Sequence, residues 1–341
     1  MADTRVNGGI GIRLVVGCVW AAACWGGGVA CTPTGSFKVT AVPADQTLEE
    51  QVVARDPGWI SERIALLDVS GVLINAAEPG LLSEGEHVVS FIVEKLNKAA
   101  ADRRVRAVVL RINSPGGTVT ASDTIYEELR RFRAVTGKPV VAFFQDVAAS
   151  GAYYLACAAD EIVAQPTSVT GSIGVVMQMV DLSGTMAKLG ISTEAITSGP
   201  FKDAGSPFRK MKPEERAVFQ GLIDDFYNRF VTVVDDGRPA LTREQVLKLA
   251  DGRIYSAEQA RQHGLVDRIG TLSDAISIAK ERAGIRAAVV VAYRRPLGWT
   301  PTIYAACPNG AAPAAVNLIN INLPELWTKR PVFGYIWCVS E

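Results

Sequence analysis

The stretch from Val105 to Asp146 constrains the fold more than any other part of the chain. VRAVVLRI is a nearly continuous apolar run, so a strand made from it must hide both of its faces. SDTIYEELRRFRAV follows, with Leu and Ile on one helical face and Glu and Arg on the other. PVVAFFQD is then a second buried strand. Two such strands joined by an amphipathic helix predict a parallel pair with the crossover helix lying on the sheet. The alternation extends in both directions. RIALLDVSGVLI predicts a strand carrying a turn at Gly71, and Glu86 to Ala101 has helical spacing. EIVAQP and SIGVVMQMV predict short strands, KPEERAVFQGLIDDFYNRFVTVVDD a long helix, and TREQVLKLA, SAEQARQHG and LSDAISIAKERA further helices. AAVVVAY predicts a last strand. The expected fold class is α/β, a mostly parallel sheet with flanking helices.

Open α/β sheets place their sites at the carboxyl ends of strands, and three loops there carry chemistry. Asn113-Ser-Pro-Gly-Gly117 ends the first strand. Its glycines suit a tight turn, or an amide aimed at a developing oxyanion. VAASGAYYLA puts Ser150 where the second strand becomes a short apolar helix. That serine is either a helix N-cap or a nucleophile at a strand-to-helix turn, with the amide of Gly151 as a second oxyanion donor. Thr170-Gly-Ser-Ile-Gly174 sets Ser172 between glycines, a pattern that also suits a plain turn.

Composition removes several function classes. Lys+Arg and Asp+Glu both number 35, so nothing electrostatic calls for a nucleic-acid partner. No Walker phosphate loop occurs, and the glycines of NGGIGIR follow no strand. The two histidines, His87 and His263, read as structural or surface residues, so a nucleophilic Ser150 needs a base other than histidine. None of the six cysteines has metal-ligand spacing. Cys157 reads as a small buried apolar residue, and Cys307 and Cys338 would pair only in an oxidising compartment.

Leu14 to Cys31 carries no charge. As a helix it spans about 27 Å, close to the roughly 30 Å of a bilayer core. Arg5 and Arg13 precede it and Asp45, Glu49 and Glu50 follow, which places the N-terminus in the cytoplasm and the bulk of the chain outside. Three readings stay open: a single-pass anchor, a lipoprotein signal with Cys31 as the lipidated residue, and a cleaved secretory peptide.

RINSPGGTV, VAASGAYYLACAAD, TGSIGVV and ITSGPFKDAGSP, in this order, resemble the signal peptide peptidase A family of membrane-anchored bacterial serine proteases. The similarity runs from about Arg63 to Ala283 and takes in DGRIYSAEQARQHGLVDRIG. Ala152 stands where that family usually has a second glycine. The resemblance implies a Clp protease/crotonase-like fold, Ser150 as nucleophile, Lys202 as general base, Gly117 and Gly151 as oxyanion donors, and Ser172 as the residue orienting the lysine. It implies no metal or organic cofactor. Its substrates would be cleaved signal peptides left in the membrane, and its shorter chains assemble into homo-oligomeric rings that complete the Ser–Lys pair between subunits. A free lysine titrates near ~10.4, so acting as a base near neutral pH requires roughly 4 kcal/mol of bias against the ammonium. Pro200, Phe201 and Pro207 are suitable apolar wall, and Asp203 is expected to point elsewhere.

The resulting division is a membrane or signal segment over 1–31, a linker over 32–60, a peptidase domain over 61–295, and a tail over 296–341. The tail is too apolar for a disordered segment and is expected to pack on its own or a neighbouring domain. Competing functional readings are a crotonase-like acyl-CoA enzyme, which reuses the same amides, and a catalytically silent membrane scaffold.

Overall fold

The computed structural model describes residues 47–75, 88–295 and 333–337. In chain order its elements are β1 (Glu49–Arg55), β2 (Arg63–Ser70), α1 (Val88–Ala101), β3 (Val105–Ser114), β4 (Gly116–Thr118), α2 (Val119–Thr136), β5 (Val140–Ala149), α3 (Gly151–Ala156), β6 (Glu161–Ala164), β7 (Val169–Gly171), β8 (Val176–Met177), α4 (Ser183–Lys188), α5 (Pro213–Gly237), α6 (Arg243–Leu249), β9 (Ile254–Ser256), α7 (Ala257–Gln262), β10 (Arg268–Ile269), α8 (Leu272–Arg282), β11 (Val289–Arg294) and β12 (Phe333–Ile336).

The strand order β1-β11-β2-β3-β5-β6-β10 forms the main sheet, with β7 paired to the far half of β5 and β9 to β7. Pairs along β11-β2-β3-β5-β6-β10 are parallel, while β1 and β9 join antiparallel. The continuous apolar run of β3 is explained by two cores. Val108, Leu110 and Ile112 pack with α1, α2 and α3, whereas Ala107 and Val109 pack with Leu272, Ala275 and Ala279 of α8. The sheet is therefore covered on both faces, as continuous hydrophobicity requires.

Three stretches differ from the sequence expectation. Residues 49–55, within the stretch read as linker, pair with β11 as an edge strand. Its burial alternates only loosely, which leaves little period-2 signal to read. SIGVVMQMV yields only the two-residue β8, outside the main sheet. In the tail, β12 lies between β4 and β8, antiparallel to both. Its partners are remote in sequence, so no local pattern announces it. The apolar run over 14–31, Cys31, His87, Cys307 and Cys338 fall outside the described residues. Among the described residues no helix is long and apolar enough to cross a membrane.

The helix that carries Ser150 on its leading edge is pinned from behind. α3 is buried throughout, and Gly237 at the end of α5 meets Cys157 just beyond it. A methyl group on Gly237 would stand 2.6 Å from the Cys157 carbonyl oxygen. Cys157 is buried and free, and burial pushes its thiol up to about 12, so it behaves as the small apolar residue expected. Replacing glycine by alanine in a helix gains at most about 1 kcal/mol of propensity. Here the obstacle is backbone, which cannot swing away, so Gly237→Ala is expected to destabilise by about 1–3 kcal/mol. Thermal denaturation should show a Tm lower by several degrees, and an unchanged or raised Tm would contradict this packing.

Candidate active site

Ser150 sits where β5 ends and α3 begins, with φ 54 and ψ −118. It occupies the N-cap position, yet its side chain makes no capping hydrogen bond. The backbone does the anchoring instead. The Ser150 amide donates to the Gly171 carbonyl at 2.7 Å, and the Ser150 carbonyl accepts from the Tyr154 amide at 2.9 Å. A non-glycine residue held at positive φ costs of order 1–3 kcal/mol and persists only where its surroundings impose it. Among the described residues two non-glycines adopt positive φ, Ser150 at 54 and Ser172 at 51. Both are serines that the sequence reading singled out.

Ser172 follows β7, whose Gly171 pairs with Ala149 of β5. Its own amide donates to the Arg253 carbonyl at 2.7 Å. The two serines thus stand at the ends of adjacent parallel strands, both buried. Ser172 also lines a cavity of about 400 Å³, together with Val176, Tyr227 and Gly252.

The glycine loop closes the other side. Asn113 ties the ends of β3 and β5 by donating to Asp146 at 3.0 Å and accepting from the Val147 amide at 3.2 Å. The Ser114 hydroxyl donates to the Gly71 carbonyl at 2.6 Å and accepts from the Gly116 amide at 3.1 Å. Gly116 has φ +99, and a methyl group there would stand 2.6 Å from the Gly151 amide nitrogen. A methyl group on Gly151 would lie 3.2 Å from the Gly117 amide nitrogen and 2.2 Å from the Ser122 hydroxyl oxygen. The Gly117 and Gly151 amides therefore converge beside Ser150, and Gly151, at the first helical position, has no intrahelical acceptor for its N–H. Such a pair can bind an oxygen that gains negative charge.

Lys202 lies in a run of turns, its amide donating to the Gly199 carbonyl at 3.1 Å. Its side chain is exposed and has no ion-pair or hydrogen-bond partner among the described residues. The Asp203 carboxylate is engaged by Arg209 through two contacts of 2.8 Å, and Arg209 also holds Glu215. Hydrogen bonds from Arg209 keep the carboxyls of Asp203 and Glu215 below the usual carboxylate range. His263 is exposed, with its ring edge-on to Tyr255 at 5.5 Å. The structure thus brings Ser150, Ser172, Gly117 and Gly151 together in one chain and leaves Lys202 at its surface.

Sequence reasoning gave no role to Asn113, Ser114, Gly116 or Ser122. Gly116 was visible as half of the Pro-Gly-Gly turn, but the need for it comes from the close approach of Gly151. Alanine at 116 would face both a forbidden φ and a backbone clash. Gly116→Ala is expected to lower peptide turnover at least 100-fold by displacing the amide pair. The measurement is kcat on a chromogenic peptide with circular dichroism as the folding control; full activity in folded protein would dismiss the pairing.

The sequence profile of peptidase family S49 matches residues 133–286, and that of Clp protease matches residues 79–185. A protein of Enterococcus faecium named as a signal peptide peptidase SppA is 36% identical over 260 residues, covering 76% of this chain and 72% of that one. A protein of Synechocystis sp. named as a protease is 38% identical over 224 residues, covering 66% of this chain and 76% of that one. Protease 4 of Salmonella typhi is 36% identical over 233 residues, covering 68% of this chain and 36% of that protein. These relatives are named as peptidases and, with the family match, favour a serine peptidase over the acyl-CoA and silent-scaffold readings. The chain belongs to peptidase family S49, the signal peptide peptidase A family, and is a serine peptidase with a Clp protease-like α/β fold.

Proposed function

We propose that the protein is a membrane-associated endopeptidase that degrades residual signal peptides and other hydrophobic peptides through a Ser150–Lys202 dyad. The observation that carries the reading is Ser150 itself, strained, buried and uncapped beside two converging amides. Ser150 Oγ adds to a peptide carbonyl while the neutral amine of Lys202 takes its proton. The Gly117 and Gly151 amides stabilise the tetrahedral oxyanion, and Lys202 passes the proton to the leaving amine. Water activated by the same amine then clears the acyl-enzyme. Ser172, one strand over, accepts from the lysine without adding charge, which suits a base that must stay neutral.

The exposed position of Lys202 in the single chain supports completion of the dyad by a second copy. The segment around it is unusually apolar for a surface: Leu189, Ile191, Ile196, Phe201 and Phe208 are exposed, as are Val218 and Leu222 on the following helix. A homo-oligomeric ring would cover this arm and deliver the lysine into a neighbour's site, where desolvation favours the neutral amine. An N-terminal anchor over 14–31, with the catalytic domain outside the cytoplasm, would hold the enzyme where signal peptides remain.

A serine-reactive fluorophosphonate is expected to label the wild type and leave Ser150→Ala untouched. Lys202→Met should keep its fold and lose about 100- to 10,000-fold in peptide turnover, the usual worth of a general base. Unchanged turnover in that variant would remove the lysine from the mechanism. Light scattering should show an oligomer, and a monodisperse monomer cleaving at full rate would rule out a shared dyad.

A further inference from the structure

A second cluster of charge lies at the opposite end of the sheet from Ser150. Arg63 opens β2 and Arg104 stands just before β3, so both mark the N-terminal ends of parallel strands, whereas Ser150 follows the C-terminal end of β5. Lys98 lies in the last turn of α1, and Glu50 and Tyr293 are paired across β1 and β11. With Asp102 these side chains line a cavity of about 560 Å³. That size suits a small-molecule site.

The acceptors in this cavity are already taken. Asp102 accepts from the Arg104 amide at 2.9 Å, from its Nε at 3.1 Å and its Nη2 at 3.2 Å, and from Arg63 at 3.0 Å. Arg63 also binds Glu50. Burial works to raise the Asp102 carboxyl, but hydrogen bonds from Arg104 hold it below the usual carboxylate range, so it stays charged and paired. Donors are left over. Lys98 gives one hydrogen to the Leu48 carbonyl, and an ammonium carries three. Arg104 turns Nε and Nη2 to Asp102, and its Nη1 has no partner among the described residues. Three cations, Arg63, Lys98 and Arg104, stand against two carboxylates, Glu50 and Asp102, which leaves an excess of positive charge.

Tyr293 is the residue that points to a ligand. It is 2% exposed, and its buried hydroxyl has no hydrogen-bond partner among the described residues. The Lys98 ammonium lies 5.8 Å from its ring centroid. Burial, and then the charges of Asp102 and Glu50, push the hydroxyl well above the usual phenol range, so it remains a donor at physiological pH. Buried polar groups are nearly always paired, because an unpaired one is destabilising. The missing partner is an acceptor, and the surrounding surplus of donors and positive charge favours an anionic one.

We propose that this cavity binds a phosphate group, with Tyr293, Lys98 and Arg104 donating to its oxygens. The three donors come from three different elements, β11, α1 and the turn between α1 and β3. A phosphate presents acceptor oxygens in tetrahedral directions, whereas a carboxylate presents two in one plane. The remaining volume takes the organic group to which the phosphate is attached. The inference concerns a ligand site remote from Ser150 and does not rest on the peptidase mechanism.

The test uses the full chain at fixed ionic strength, titrated calorimetrically with inorganic phosphate. Wild type should bind it at a single site at millimolar concentration or below. Tyr293→Phe and Lys98→Met should each bind roughly tenfold more weakly, the usual worth of a hydrogen bond to a charged group. Arg261→Ala, which removes a surface cation on α7, should bind as wild type does. Acetate should bind about tenfold more weakly than phosphate. Equal phosphate affinity in wild type and Tyr293→Phe, equal affinity for acetate, or no binding at millimolar phosphate overturns the proposal. Thermal denaturation separates a ligand-binding role of the hydroxyl from a structural one. Without phosphate, Tyr293→Phe should melt at or above the wild-type Tm, since it removes an unpaired buried group; added phosphate should then raise the wild-type Tm more. A lower Tm for Tyr293→Phe without phosphate would mark the hydroxyl as structural and count against the site. Glycerol 1-phosphate and the diester glycerophosphoglycerol distinguish the sources: tighter binding of the monoester identifies a soluble phosphate compound, and tighter binding of the diester a lipid headgroup.

Discussion

The site depends on one backbone constraint, the positive φ of Ser150 at the junction of β5 and α3. The constraint is imposed by parallel strand pairing. β7 runs beside the last residues of β5 and places the Gly171 carbonyl 2.7 Å from the Ser150 amide, while the next residue already begins a helix. The chain must therefore turn within a single residue. Aligning the side chain as an N-cap would require an ordinary extended backbone, and the strand-to-helix geometry excludes it. The same turn leaves the Gly151 amide without an intrahelical acceptor, beside the glycine loop. In the proposed mechanism, nucleophile and oxyanion donor are thus two consequences of one bend.

The glycine loop meets this bend because β3 and β5 are neighbours in the parallel sheet and end at the same level. Asn113 bridges the two strand ends, and Ser114 shapes the turn that presents Gly116 and Gly117. The space between Gly116 and Gly151 is too small for any Cβ, and a Cβ on Gly117 would stand 1.9 Å from the Leu73 carbonyl oxygen, which together explain a Gly-Gly pair where one glycine would satisfy a turn. The resulting edge, β4, offers its backbone to an incoming strand. That opening has the right chemistry for a peptide, since hydrogen bonds to a main chain accept any sequence and a side-chain pocket supplies the selection.

The lysine obeys a different logic. An ammonium becomes a base only where water is excluded, and Lys202 is exposed on a turn rich in exposed apolar residues. Arg209 engages the carboxylate next to the lysine in sequence, Asp203, which would favour the charged form if it approached the amine. In the proposed dyad, the single chain therefore leaves the environment of the lysine incomplete. A covered arm in an assembly would supply the missing desolvation, and the dyad would then switch on only in the assembled enzyme.

The sequence by itself determined the sheet, its helices and the loops that carry the site. Continuous apolar runs can be buried only between two helical layers, and Gly-Gly, Ser-Gly and Gly-Ser-Ile-Gly stand at the strand ends where such sheets place their chemistry. It could not show that Ser150 and Ser172 share a strained conformation, because strain arises from neighbouring strands rather than from local preference. Nor could it show β1 or β12. Strand β1 has a loose burial pattern, and the four residues of β12 pair with partners more than 150 positions away. Tertiary structure alone decided that Tyr335 meets Tyr154 and Phe230, because a contact between remote segments is fixed by packing and register, and neither leaves a periodic trace in the residues that make it.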